Sequence, residues 1–138
     1  MIKANMNILI VEDEKRNYNR LKRLLEEIYY TMHVDGPTAS IAETVDYLQN
    51  SPAPDLILAD IRLTDGLSFE AFNRVPLRSP VIFTTAYDEY AIRAFKYNGI
   101  DYLLKPVDGE ELAAAIDRAK RMQSVAGNDS NSLRQLLE

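Results

Sequence analysis

Acidic residues follow two short apolar segments of the sequence. The segment "NILIVED" runs into Glu12 and Asp13, and the segment "DLILADIRL" carries Asp60 directly after Ala59. Continuous apolar segments of this length are typical of strands that are buried on both faces of a parallel sheet. If the two strands are neighbours, the three acids converge at one edge of the sheet. That arrangement predicts a functional site at this edge.

Three converging carboxylates repel one another, and a bound cation offsets that repulsion. Two carboxylates ~4 Å apart repel each other by ~4 kcal/mol at an effective dielectric constant of about 20. Three cannot all stay ionised unless a cation joins them or a proton is taken up. Oxygen ligands at a site open to water suit Mg²⁺, whereas Ca²⁺ would require more ligands. We therefore expect Glu12, Asp13 and Asp60 to bind Mg²⁺.

Two further polar residues follow later apolar segments. Thr85 ends "VIFTT", and Lys105 ends "DYLLK". A phosphoryl group needs its charge neutralised at several points, and a hydroxyl and an ammonium group can each hold one of its oxygens. Asp60 could then act as a nucleophile and form an aspartyl phosphate.

The elements that position these residues alternate between strands and helices. Crossover helices are required between parallel strands, and they cover both faces of an open α/β sheet whose ligand crevice lies at the carboxyl ends of the strands. Ser40 is expected to cap the second helix, with Glu43 completing a capping box. Gly99 is expected to end the fourth helix. The predicted strands are Ile8–Val11, Met32–Val34, Leu56–Ala59, Val81–Phe83 and Tyr102–Leu104, and the predicted helices cover about 14–30, 41–51, 68–75, 88–98 and 109–122.

Composition excludes several classes of site. The chain has 138 residues, of which 46% are hydrophobic, and these values fit one ordinary domain. It has no cysteine and a single histidine, His33, so disulfides and zinc sites are not expected. The net charge is −5 and the first 122 residues contain no basic stripe, which argues against nucleic-acid binding by this part of the chain. Apolar segments are too short for a bilayer and no signal peptide precedes them, so we expect a cytoplasmic protein without membrane contact.

The ordered set of motifs resembles the receiver (CheY-like) domain of two-component response regulators. The motifs are "ILIVED", "LILAD", "FTTA" and "YLLKP". Within that family, "IFTTAYDEYAIRAFKYNGIDYLLKP" is similar to the LytTR (LytR/AlgR) branch. The resemblance implies a doubly wound (βα)5 fold with strand order 2-1-3-4-5. It also implies a receiver domain at 6–122, followed at 123–138 by a linker that leads to a DNA-binding domain not in this chain.

The resemblance also assigns roles to individual residues. Asp60 becomes the phosphoacceptor for a sensor histidine kinase, Asp13 binds Mg²⁺ directly, and Glu12 binds it through water. The main-chain carbonyl of Arg62 is a further metal ligand. The residues that contact the phosphoryl group or respond to it are Thr85, Lys105 and the switch aromatic Tyr102. One departure is Gly66, which lies six residues after Asp60 where many receivers have glycine at the eighth, so the intervening loop is shortened.

The fourth predicted helix has an apolar arc wider than a one-sided surface helix requires. Tyr90 and Tyr97 lie beside its core face, and tyrosine is enriched at interfaces. The helix is therefore either deeply seated or part of a homodimer surface formed with the fifth strand and fifth helix.

Two other functions compete with a phosphorylated receiver. One is a pseudo-receiver that acts as a phosphorylation-independent interaction module, against which the intact set of five polar residues argues. The other is a magnesium phosphohydrolase with an aspartyl nucleophile. Such an enzyme usually needs a second acid as general acid, but Asp60 is followed by Ile61 and Arg62.

Overall fold

The computed structural model describes residues 6–28, 32–86 and 99–121 of the chain. Five parallel strands form the main sheet in the order β2-β1-β3-β6-β7, and β4 and β5 form a separate antiparallel hairpin. The elements are β1 (Met6–Val11), α1 (Lys15–Ile28), β2 (Met32–Thr38), α2 (Ile41–Asn50), β3 (Leu56–Asp60), β4 (Arg62–Leu63), β5 (Gly66–Leu67), α3 (Phe69–Arg74), β6 (Val81–Thr85), β7 (Gly99–Leu104) and a helix at 109–121. The predicted α/β fold and its strand order 2-1-3-4-5 are confirmed.

The central strands are mostly apolar because both faces of the sheet are covered. Successive side chains of a strand point to opposite faces. In β1, Ile8 and Ile10 join a core with α1 and the helix at 109–121, whereas Leu9 and Val11 join a core with α2 and α3. In the second core Phe83 packs edge-to-face against Phe69, with ring centroids 5.2 Å apart. This packing holds the strand ends that carry the polar residues.

All five strands of the main sheet are longer than the sequence predicts, and β2 and β7 differ most, by three residues or more. Strand β2 continues from Val34 to Thr38 through Gly36 and Pro37, whose types are rare inside strands. Gly36 has a φ of 107°, and a Cβ atom there would lie 2.6 Å from the carbonyl oxygen of Ile10. The register of β1 and β2 shifts beside this position. Strand β7 begins at Gly99, three residues before the predicted start.

The second helix begins as predicted, with a small difference in the capping box. The Ser40 hydroxyl accepts a hydrogen bond from the Glu43 amide at 3.0 Å. The Glu43 carboxylate accepts from the amide of Ala39 at 3.1 Å, whereas a standard box would use the amide of Ser40 itself.

Several predictions concern residues outside the described ranges. They are the fourth helix at 88–98, which Gly99 was expected to end, the last residues of the first and fifth helices, and the linker at 123–138. Within the described ranges, no helix combines the length and the apolar character needed to cross a membrane.

Candidate functional site

The carboxyl ends of β1 and β3 bring three acids together. These strands pair in parallel, with Val11 opposite Ala59, so Glu12, Asp13 and Asp60 leave the sheet side by side. One carboxylate oxygen from each of the three acids lies within 4.8 Å of the others. The predicted convergence is therefore present in the structure.

Lys105 lies between two of these acids. Its Nζ donates hydrogen bonds to Glu12 Oε2 and to Asp60 Oδ2, both at 2.9 Å. The side chain of Glu12 is fully buried, and those of Asp60 and Lys105 are 9% and 18% exposed. The Lys105 amide donates to the Thr85 carbonyl at 2.8 Å, which fixes the end of β7 against β6. The Lys105–Pro106 peptide bond is cis.

The remaining oxygens of the two buried acids accept from backbone amides. Glu12 Oε1 accepts from the Glu14 amide at 3.2 Å, and Asp60 Oδ1 accepts from the Arg62 amide at 3.3 Å. Each carboxylate is thus oriented by a lysine on one side and by its own chain on the other. This leaves little freedom for either group to turn away from the cluster.

Burial makes the ionised forms of these acids costly. It raises the pKa of Glu12 to about 7, with the neighbouring Asp60 carboxylate adding to the effect and Lys105 opposing it. Burial also raises the pKa of Asp60, again against the opposing effect of Lys105. Burial disfavours charge on Lys105 as well, but Asp60 and Glu12 outweigh it and raise the pKa of Lys105. One ammonium group does not fully compensate the carboxylates, so the cluster favours an additional cation.

A cleft of about 430 Å³ opens over the cluster and admits small ligands. Its wall includes Asp13, Asp60, Arg62, Thr85 and Lys105, whereas Glu12 lies beneath it and is only 1% exposed. An all-oxygen donor set with open positions fits Mg²⁺, which keeps several waters and uses few carboxylates. The residues present therefore fit the ion that the sequence predicts.

Thr85 and Tyr102 lie on the second face of the sheet. Thr85 is completely buried at the end of β6 and borders the cleft. Tyr102 is partly buried and packs against the second core, beside Phe83 in the β6–β7 register. The structure thus brings four of the predicted polar residues around one cleft and puts the predicted switch aromatic on the strand next to Thr85.

Sequence reasoning missed two features near the site. Thr84, which is paired in register with Asp60, is fully buried, and its hydroxyl has no hydrogen-bond partner among the described residues. Asp65 lies in the turn between β4 and β5, as is usual for an aspartate before a glycine, but its carboxylate also accepts from the amide of Ile41, 24 residues earlier. The loop after Asp60 that contains Gly66 forms this β4–β5 hairpin. His33, the single histidine of the sequence, has a side chain that is 65% exposed and is hydrogen-bonded to Asp35.

Comparison with known proteins identifies the family. Residues 8–117 match the family model of the response regulator receiver domain. The chain belongs to the response regulator receiver domain family. It is therefore the receiver domain of a two-component response regulator, and its role is that of a signalling domain, not that of a conventional enzyme.

Relatives confirm the LytTR branch to which the sequence motifs pointed. The receiver is 42% identical over 123 residues to the Positive alginate biosynthesis regulatory protein of Pseudomonas aeruginosa, with 87% of this chain and 49% of the relative covered. It is 32% identical to the Sensory transduction protein LytT of Bacillus cereus, covering 86% of this chain and 48% of that protein. The chain spans about half the length of the curated relatives it matches.

Two solved structures that share the fold are named as a signal receiver domain and a response regulatory domain. The signal receiver domain of a modulated diguanylate cyclase from Desulfovibrio desulfuricans is 29% identical, with a TM-score of 0.76 and coverage of 89% of this chain and 99% of that one. The response regulatory domain of mrkE from Klebsiella pneumoniae is 26% identical, with a TM-score of 0.69 and coverage of 87% and 97%.

Proposed function

We propose that Asp60 is the phosphoacceptor of this receiver and takes a phosphoryl group from a sensor histidine kinase in a reaction that requires Mg²⁺. The observation that carries the proposal is the clustering of Asp60 with Glu12 and Asp13, each offering an oxygen within 4.8 Å of the others, next to Lys105. A buried carboxylate held by a lysine and open to a cleft is accessible to a phosphodonor and shielded from most competing chemistry.

Mg²⁺ would be held by Asp13 and Asp60 directly, by Glu12 through water, and by the main-chain carbonyl of Arg62. When bound, the ion supplies positive charge that offsets the charge of the acids and of the incoming phosphoryl group. With that charge present, Glu12 would hold its ionised form, which burial disfavours by raising its pKa to about 7. Lys105 would then be released from the acids to contact a phosphoryl oxygen.

The transfer itself is a displacement at phosphorus. An ionised oxygen of Asp60 attacks the phosphorus of the phosphohistidine, the P–O bond of the aspartyl phosphate forms, and the P–N bond breaks. The electron pair of the broken bond leaves with the imidazole of the kinase. The hydroxyl of Thr85 and the ammonium of Lys105 stabilise the charge that spreads over the other phosphoryl oxygens.

The response of the domain would start at Thr85. Moving its buried hydroxyl toward the phosphoryl group vacates space on the second face of the sheet, where Tyr102 already packs. Phosphorylation would favour one of two pre-existing states, with an effect limited by its differential affinity for them. We assign the changed surface to the 88–98 segment, β7 and the helix at 109–121, where it would control homodimer formation.

The remaining partners are also part of the proposal. We expect a receiver domain over 6–122, then a linker at 123–138 leading to a DNA-binding domain that is not in this chain. DNA would be contacted only through that domain, and the predicted cytoplasmic location belongs to the same proposal. The relatives, which are about twice as long as the matched chain, support a further domain in the whole protein.

Labelling with acetyl phosphate tests the proposal directly. The wild-type chain should take up one phosphoryl group with Mg²⁺ and none with EDTA, and Asp60→Asn should take up none. Asp55→Asn is a matched control, because Asp55 precedes the opposite end of the same strand and accepts from the Asn7 amide; it should be labelled normally. Size-exclusion chromatography of the same samples tests dimer formation. A folded wild-type chain that takes no label would instead indicate a phosphorylation-independent interaction module.

A further inference from the structure

The hairpin that follows Asp60 is attached to the start of α2. Both carboxylate oxygens of Asp65, in the hairpin turn, accept from the Ile41 amide at 2.9 and 3.1 Å. A negative charge at this position is also favourable for the first turn of a helix. The neighbouring Thr64 hydroxyl donates to the Ala39 carbonyl at 3.4 Å. The turn of the hairpin is therefore held by polar contacts to a different part of the chain.

The contact between hairpin and helix is also close-packed. Gly66 has a φ of 141°, and a Cβ atom there would lie 2.9 Å from Ile41 Cδ1. Leu63 and Leu67 of the hairpin pack in the second core together with Ile41. At the base of the hairpin, the Ser68 amide donates to the Ile61 carbonyl at 2.8 Å. Turn, sides and base are all fixed, so the hairpin has a defined position relative to α2.

The start of α2 is linked to β1 as well. The Glu12 amide donates to the carbonyl of Thr38 at 3.0 Å, and the Thr38 hydroxyl is hydrogen-bonded to that of Thr44 in α2 at 2.9 Å. One end of one helix therefore connects both halves of the acid cluster. Thr38 connects it to Glu12, and Asp65 connects it to the hairpin whose first strand, β4, carries Arg62 and follows Asp60.

We propose that Asp65 is a positioning residue for the metal site. It contacts neither the ion nor the phosphoryl group, but through the hairpin it holds the main-chain carbonyl of Arg62 at a fixed distance from Glu12 and Asp13. Mg²⁺ demands near-octahedral geometry with short ligand distances, so a small displacement of one ligand weakens binding. The proposal rests on the proposed function, in which that carbonyl is a metal ligand.

Calorimetric titration with Mg²⁺ separates positioning from simple stabilisation. Asp65→Ala should raise the Mg²⁺ Kd roughly tenfold, at the lower end of the loss seen when outer-shell partners of metal ligands are removed. Asp65→Asn should recover most of the affinity, because its amide oxygen can still accept from Ile41. Ser40→Ala is the matched control, because it removes a cap from the same helix end without touching the hairpin. Ser40→Ala should lower the urea concentration at the midpoint of unfolding, as Asp65→Ala does, and should leave the Mg²⁺ Kd unchanged.

The rate of labelling by acetyl phosphate gives a second readout. With saturating Mg²⁺, Asp65→Ala should be labelled at a rate within about twofold of the wild type, because only the metal equilibrium is affected. If Asp65→Ala does not fold, Asp65→Ser, whose side chain is too short to reach the Ile41 amide, takes its place with the same expectation. An unchanged Kd in these variants, or an equal rise in Ser40→Ala, would overturn the proposal.

The two proposals fail in different ways. Wild-type chain that binds Mg²⁺ but takes no label would refute the phosphoacceptor role of Asp60, while the calorimetric comparison would still decide the role of Asp65. Wild-type chain that binds no Mg²⁺ would refute both. A labelled wild type with an unaffected Asp65→Ala would refute the positioning role alone.

Discussion

Two clusters of three hydrogen-bonded side chains lie on this sheet, and the pKa values of their carboxylates are shifted in opposite directions. At the carboxyl edge, Lys105 joins Glu12 and Asp60 at 2.9 Å. On the edge strand β2, Asp35 accepts from the Tyr47 hydroxyl at 2.6 Å and pairs with His33 at 2.7 Å. The hydrogen bond from Tyr47 lowers the pKa of Asp35, whereas burial raises the pKa of Glu12 and Asp60.

Solvent explains the difference between the two clusters. The side chain of Asp35 is 37% exposed, so water stabilises its charge, and the hydrogen bond from Tyr47 adds to that effect. The side chain of Glu12 is fully buried, so two carboxylates share one lysine with little help from water. A cluster that is costly to ionise gains most from a metal ion, and this is why the buried cluster, and not the exposed one, is the candidate site.

Removing Lys105 should disrupt the buried cluster most. Lys105→Met leaves two buried carboxylates without their cation, and we expect a loss of about 3 kcal/mol in the free energy of unfolding at about pH 8 without Mg²⁺. The loss should shrink at acidic pH, where the carboxylates take up protons, and also when Mg²⁺ is added. Urea unfolding measures it, with Lys22→Met on the exposed face of α1 as control. Equal losses in the two variants would contradict the account.

Neutralising Glu12 should stabilise the metal-free protein. Its pKa is raised from 4.5 to about 7, so the folded state binds more protons than the unfolded state between these values. Stability is therefore greatest below about pH 4.5 with respect to this group and falls as pH rises through about 7. Glu12→Gln removes that loss and should gain up to about 3 kcal/mol at about pH 8, with little change at about pH 4.5. Urea unfolding across this range measures it; a less stable variant at the higher pH would refute the assignment.

The exposed cluster of Asp35, Tyr47 and His33 should contribute least to stability, and its contribution should depend on pH in the opposite sense to that of Glu12. Because the pKa of Asp35 is lowered, its contribution to stability is present above the ordinary value of 3.8 and is lost as pH falls through the lower folded value. Tyr47→Phe removes the main cause and should cost about 1 kcal/mol or less near neutral pH. It should leave acetyl phosphate labelling unchanged. A labelling defect in this variant would mean that the two clusters are coupled.

The sequence was sufficient for the sheet and for most of the site because both depend on local patterns. Apolar segments predicted all five strands, and the residue after each segment identified Glu12, Asp60 and Lys105. A parallel sheet brings such strand ends to one edge whatever the details of packing. The carboxyl end of β2 was not predicted, because Gly36 and Pro37 argue against a strand. The positive φ of Gly36 and its close approach to the Ile10 carbonyl explain the glycine.

The sequence alone does not predict contacts between segments that lie far apart in the chain. The dipeptide Asp65–Gly66 signals a turn, but the amide that Asp65 accepts from lies 24 residues earlier in the chain. The hairpin strands have two residues each, too few for any periodic pattern. The Thr84 hydroxyl, which has no hydrogen-bond partner within 6–28, 32–86 and 99–121, could not be predicted either, because its neighbour Thr85 has the same residue type and only the direction of the side chain distinguishes them.

The most direct test of the central claim is to locate the phosphoryl group by peptide mass spectrometry. The chain is treated with acetyl phosphate and Mg²⁺, and the acyl phosphate is trapped by borohydride reduction before proteolysis. The account predicts one modified residue, Asp60, in the wild-type chain and no modified residue when Mg²⁺ is chelated. Modification at Asp13 or Glu12 in place of Asp60, or modification that does not depend on Mg²⁺, would contradict it.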